Sequence, residues 1–182
     1  MPLPREYEWL DKEMAQYGGP LMVREGLKLF GITETPGAAD NKTILEWAKE
    51  VGVDNVYKHD SVPWCGLFLA LVAKRGGHPW LGEPKDTLWA LSWLRYGKIT
   101  LRGMFGDVLI FKREGGGHVA LYIGEDVETY HVLGGNQTDK INIIRINKTR
   151  CVGIRRPLYK NTPQNVRRIV LEASGMVSTN EA

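Results

Sequence analysis

Two residue types in this sequence have the chemistry of a nucleophile and its base. Cys65 stands in Pro63-Trp64-Cys65-Gly66-Leu67-Phe68, where a proline followed by an apolar run predicts the first turn of a buried helix. Backbone N–H groups in a first turn have no partner within the helix, and their partial positive charge favours the thiolate, the reactive form of cysteine. Free cysteine is also a common core side chain, and an apolar helix fits that use too. A thiol nucleophile needs a base, and four histidines are present. His118 follows Gly115-Gly116-Gly117 and opens a β run, so its ring can project from a strand end while the glycines leave room for substrate. His131 lies inside a β run, His59 reads as a surface-loop residue, and His78, between Gly77 and Pro79, as a turn residue. A cysteine at a helix start with a histidine at a strand start is a stronger signal than either alone. An imidazole base also needs a partner on its other nitrogen. Asn136, in Leu133-Gly134-Gly135-Asn136-Gln137, is the candidate through its carbonyl oxygen, although Gly-Gly-Asn is equally good turn chemistry.

The elements that must position these residues fall into two textures. Up to about residue 100 the pattern is helical. Tyr7, Leu10, Met14 and Tyr17 recur at helical spacing before Gly18-Gly19, and Pro20 opens a second helix. Asp40 or Asn41 caps a third, Pro63 to Ala73 forms the central buried helix, and Thr87 to Tyr96 a fifth. After Gly103 come five β runs, at 107–111, 118–123, 129–133, 141–146 and 151–155, at meander-like spacing. Helices first and an antiparallel sheet second predict an α+β fold. The tail, residues 161–182, is read as a short helix using Val166, Ile169 and Val170, with frayed last residues.

Composition narrows the classes. With 182 residues, 43% apolar and 25% charged, the chain has the make-up of one soluble globular domain. A net charge of +3 does not diagnose nucleic-acid binding but suits an anionic polymer. The first residues lack the basic and apolar regions of a signal peptide, and no run of eighteen apolar residues predicts a membrane span. Synthesis in the cytoplasm is therefore expected. Cys65 and Cys151 stand in unlike settings, which argues against a disulfide, and the cysteines and histidines form no zinc pattern. Among six tryptophans, Trp64, Trp89 and Trp93 can line a ligand groove, although their spacing also suits a core.

Taken in order, Pro63-Trp64-Cys65 on a helix, Gly106-Asp107-Val108 opening a strand, Gly117-His118-Val119-Ala120, and Gly135-Asn136 resemble the CHAP and NlpC-type cysteine hydrolases of peptidoglycan. Within that group the pattern is most similar to phage or prophage endolysins with a helical N-terminal stretch, and it extends from about Leu21 to Pro157. The resemblance implies a papain-like α+β fold, with a helical N-terminal half packed on a C-terminal antiparallel sheet. It implies one catalytic domain over residues 1–160, an N-terminal helix in 1–20 and a core of 21–157. Cys65 then matches the nucleophile, His118 the general base and Asn136 the residue that orients it, while Asp107 matches a structural acidic position. Many CHAP domains carry a glutamate two residues before that asparagine, where this chain has Gly134; the second histidine frequent in NlpC-type enzymes is also missing.

The implied reaction is cleavage of an amide bond in the bacterial cell wall through an acyl-enzyme, with no metal or cofactor. The Cys65 N–H serves as one oxyanion donor, and the Asp60-Ser61 segment is expected to supply a second. The implied partner is peptidoglycan, reached in the periplasm by holin-dependent release; nucleic acid and stable membrane insertion are not expected, and the protein is expected to be a monomer. Three other readings compete. One is a non-catalytic peptidoglycan-binding or phage structural domain of the same fold. Another is an antibacterial effector amidase, and a third is a glycan-cleaving lysin using Glu25 and Glu34, for which no sequence feature selects the pair.

Overall fold

The computed structural model describes residues 1–37, 39–172 and 176–181. Its helices come first: α1 (Trp9–Tyr17), α2 (Leu21–Leu27), α3 (Lys42–Val51), α4 (Cys65–Arg75) and α5 (Pro84–Leu88), then a 3-10 helix at Ala90–Arg95. The strands are β1 (Lys98–Ile99), β2 (Val108–Arg113), β3 (Gly116–Glu125), β4 (Thr129–Gly134), β5 (Asn142–Asn147), β6 (Cys151–Arg156) and β7 (Val177–Ser178). They form a single seven-stranded sheet in the order β1-β6-β2-β3-β4-β5-β7. Strands β2 to β5 make an antiparallel meander, β6 returns to pair with β2, and β7 adds in parallel to β5. The mixed α+β architecture is the one the sequence pattern predicts.

Local chemistry explains most boundaries. Gly18, at φ 70°, ends α1 in the left-handed conformation that costs glycine least. Of the two residues proposed to cap α3, Asn41 does so: its side chain accepts the Thr43 N–H at 2.9 Å. Every residue of α4 from Cys65 to Ala73 is buried, as a helix apolar nearly all round requires. Helix α4 runs between α2 and α3 on one side and the β3 face on the other. The principal core joins the helices to the sheet face bearing Val108, Ile110, Val119, Leu121 and Leu133. The opposite face carries a smaller cluster around Leu109, Phe111, Ala120 and Tyr122.

Two expectations fail. The fifth helix does not run to Tyr96 but breaks at Trp89, whose backbone is extended, and resumes as a 3-10 helix. The Trp93 indole caps the break by donating to the Thr87 carbonyl at 3.1 Å. The tail forms no helix at Val166, Ile169 and Val170. Its backbone instead pairs with the sheet: Glu125 N–H donates to the Ile169 carbonyl and Leu171 N–H to the Glu125 carbonyl, each at 2.9 Å. Gly124, in the irregular part of β3, admits this approach because a side chain there would collide with Leu171. Nor are residues 178–181 frayed, for Ser178 belongs to β7 and Glu181 is buried; Ala182 lies outside the described residues.

Candidate active site

Cys65 is the first residue of α4 and is 4% exposed. The preceding Trp64 has non-helical backbone angles, and its N–H donates to Asn136 Oδ1 at 3.3 Å, fixing where the helix begins. Gly66 packs directly under the carbonyls of Thr87 and Leu88, leaving no space for a side chain. Strand β3 pairs with β4 only from Leu121 onward, so its edge at His118–Val119 is open. The Cys65 sulfur fills that edge and accepts the Val119 N–H. The thiol thus lies against the backbone of the residue next to His118, but the His118 ring stacks with Phe111, its partner on β2, on the sheet face opposite α4, and thiol and ring are not hydrogen-bonded to each other.

The ring of His118 is held by Gln137. His118 Nε2 and Gln137 Oε1 are 2.9 Å apart. The amide orientation follows from its nitrogen, which donates to the Asn142 carbonyl (2.7 Å), Asn142 Oδ1 (2.8 Å) and the Val132 carbonyl (3.4 Å). With nitrogen so engaged, the oxygen faces the ring, and an amide oxygen only accepts. Nε2 therefore carries the proton, and Nδ1 of the neutral ring keeps the lone pair a general base needs. The hydrogen bond to the His118 ring expected of Asn136 is made by its neighbour. Asn136 sits at φ 56° in the turn after β4 and its oxygen is taken by Trp64. Gly134 makes this arrangement sterically available: a Cβ there would stand 2.5 Å from Gln137 Oε1 and 2.9 Å from its Cδ. The position where a glutamate was missing is the floor under Gln137.

Burial sets the charge state. Desolvation raises the Cys65 thiol above its ordinary range, against the opposing pull of the Val119 N–H and the Arg113 charge. Desolvation also pushes His118, 2% exposed, down to about 4. At neutral pH the pair is a thiol and a neutral imidazole. The thiolate expected from the helix start does not prevail, because burial outweighs the partial charge of one turn. Arg113 acts electrostatically on both groups.

The remaining candidates are placed as follows. Trp64 and Trp93 are core residues whose indole N–H groups donate to Glu34 Oε2 (3.1 Å) and the Thr87 carbonyl, so neither lines a groove. Trp89 is 53% exposed and borders a cavity of about 540 Å³ with Val62, Pro63 and Leu88, just ahead of Cys65 in the chain. Asp60 cannot offer its N–H as an oxyanion donor, since that group donates to Asp40 Oδ1 at 3.0 Å. Its carboxylate instead ties the Thr35 and Asn41 N–H groups, each at 2.8 Å. Asp107 pairs with Arg156 and accepts the Met104 N–H, a structural role as expected. His131 is locked between the Tyr7 hydroxyl (2.7 Å) and Asp126 (3.0 Å), while exposed His59 meets Asp40 and His78 packs edge-on against Tyr159. Glu25 is paired with Lys28, and Glu34 receives the Trp64 indole. Both cysteines are free, and among the described residues no cluster of His, Cys, Asp and Glu is placed to hold a metal ion. Comparison of the chain with protein-family models and with curated proteins gave no match. No helix among the described residues is long and apolar enough to cross a membrane.

Proposed function

We propose that this protein is a papain-like cysteine hydrolase that cleaves an amide bond of peptidoglycan, acting as an endolysin in host lysis. The observation behind the reading is the Cys65 sulfur at the start of α4, seated on the Val119 N–H, one residue along β3 from a histidine whose ring Nε2 is tied to Gln137. A purely structural cysteine has no need of a neighbouring histidine with a fixed tautomer, and a binding domain has no need of either.

The reaction proceeds in two halves. His118 Nδ1 takes the thiol proton as Cys65 Sγ attacks the amide carbon, and the Cys65 N–H stabilises the oxyanion. The proton passes to the leaving nitrogen, the C–N bond breaks and a thioester remains. Water then attacks the thioester with Nδ1 as base, the C–S bond breaks, the proton passes from Nδ1 to the Cys65 sulfur, and a carboxylic acid leaves. The cavity beside Trp89 and Pro63 supplies an apolar wall for substrate at the helix start. Synthesis in the host cytoplasm and action on the wall in the periplasm belong to the same proposal. Its test is Cys65→Ser: loss of turbidity clearing on permeabilised Gram-negative cells, with an unchanged thermal midpoint, supports the thiol mechanism. Mass spectrometry of the released muropeptides identifies the bond. Full clearing by the variant would refute the proposal.

A further inference from the structure

Residues 178–181 are bound in a way that a loose tail is not. The Glu181 side chain is 1% exposed, and Arg150 grips its carboxylate with two parallel bonds, Nη1 to Oε1 and Nη2 to Oε2, each 2.7 Å. Ser178 Oγ adds a contact at 3.2 Å, and the Glu181 carbonyl accepts the Thr138 N–H at 2.9 Å. Arg113 Nη1 donates to Asn180 Oδ1 at 2.8 Å. Thr138 follows Gln137, which holds the His118 ring, and Arg113 pairs with Gly116, two residues before His118, so the segment is bound beside that ring, on which Arg113, Arg150 and Glu181 also act electrostatically.

A buried carboxylate needs complete partners to offset its desolvation, and the bidentate fork is the geometry with which proteins recognise carboxylates. The receiving side belongs to the sheet: Arg113 ends β2, Arg150 lies in the turn before β6, and Thr138 follows Gln137. Thr138 is held at φ 52°, a strained value for a β-branched residue. Arg113 Nε is buried without a hydrogen-bond partner, so the site has a donor that the segment leaves unfilled. The segment's contact with the sheet as a strand is short. Strand β7 pairs over two residues, and a cavity of about 340 Å³ runs between residues 176–180 and β5.

We infer that Arg150 and Arg113 form a carboxylate-binding subsite next to His118, that its ligand is an acidic peptide, and that residues 178–181 fill it as a tethered competitor. Treating that ligand as the substrate rests on the hydrolase proposal; the binding and the competition do not.

The test is calorimetric titration of the full chain, in a Cys65→Ala background that excludes turnover, with N-acetyl-alanyl-glutamate α-amide and, as the uncharged control, N-acetyl-alanyl-glutamine α-amide. A tethered segment competes at an effective concentration in the millimolar range. Glu181→Gln, which removes the internal carboxylate, is expected to bind the acidic dipeptide on the order of tenfold more tightly than the Glu181 chain does. It should prefer acid over amide, and adding Arg150→Ala should abolish that preference. Asn180→Ala, which loosens the segment without touching the fork, should tighten binding in the same direction and serves if Glu181→Gln fails to fold. Equal affinity for acid and amide, no gain from freeing the segment, or a preference that survives Arg150→Ala would each overturn the inference. Wall clearing by Cys65→Ser is read separately, so either idea can fail alone.

Discussion

Replacing Gln137 by alanine removes one acceptor and three donated hydrogen bonds at a single buried amide. The His118 N–H is then left buried without a partner, which costs about 1–3 kcal/mol. If that energy appears as lost control of ring orientation in the transition state, turnover falls by about 5- to 150-fold at 1.36 kcal/mol per decade. A structural role would give a lower thermal midpoint with a normal rate per folded molecule, so stability and rate must be measured on the same preparation. A pH profile separates the roles further. Gln137→Glu keeps an acceptor but places a carboxylate on Nε2, which favours the imidazolium and raises the pKa of His118 from about 4. The base is then protonated, and inactive, up to a higher pH, so the acid limb of kcat/KM moves upward. Asn136→Ala is the control: it frees the Trp64 N–H and should lower stability by about 1 kcal/mol without moving the acid limb. The assay is clearing of permeabilised cells with muropeptide quantification. The reasoning is wrong if Asn136→Ala slows turnover while Gln137→Ala leaves both rate and acid limb unchanged.

Gly134→Ala should reproduce much of the Gln137→Ala phenotype, because the new methyl competes for the space of the amide; normal kinetics would mean the turn shifts freely. His118 binds its proton less readily in the folded chain, with a pKa of about 4, than in the unfolded chain, near 6.5. Between those values the unfolded state takes up more protons, so stability falls as pH drops from 6.5 towards 4. A His118→Gln variant should show a shallower fall in thermal midpoint over that window, and an identical slope would count against the burial argument. Burial pushes the Cys151 thiol up to about 11 from an ordinary 9.0. In a Cys65→Ser variant, iodoacetamide at pH 7.5 should therefore label Cys151 about 100-fold more slowly than an unperturbed thiol, by mass spectrometry.

Local patterns made most of the fold legible. Period 3.6 with glycine and asparagine at the ends marks α1 and α3, and short β runs separated by glycines, asparagines and charges mark β2 to β6 in order. What escaped depends on partners distant in sequence. Helix α5 breaks because its backbone must lie over Gly66, and the tail is extended because Glu125 takes its hydrogen bonds. Strands β1 and β7 contain two residues each, too few for any period to register. Cys65 and His118 could be singled out because the start of a helix and the start of a strand are local features. The residue that bonds the His118 ring could not, because Asn136 and Gln137 are neighbours and both are amides. The choice between them turns on φ 56° at Asn136, which sends its side chain to Trp64 and the next one back to the ring. One hint was present: Gly134 leaves a vacancy that only a side chain folding back over β4 can use.

The same burial that fixes this geometry also quiets it. Raising the thiol and lowering the imidazole push the two pKa values apart in the direction that opposes proton transfer, so the resting pair is neutral and a poor nucleophile. Activation then calls for a change in environment. The groups best placed to supply one are charged: Arg113 and Arg150 disfavour the imidazolium, and Glu181 favours it. An anionic substrate group in place of Glu181 would keep that favourable charge beside His118, whereas an empty subsite would leave the Gln137 hydrogen bond to oppose the two guanidinium groups without a counter-charge. Proton transfer from Cys65 to His118 would thus be most favourable when a carboxylate occupies the arginine pair and water has been admitted to the cleft by departure of the segment. That ties reactivity to substrate charge, and it predicts that neutral amide analogues react more slowly even where they bind.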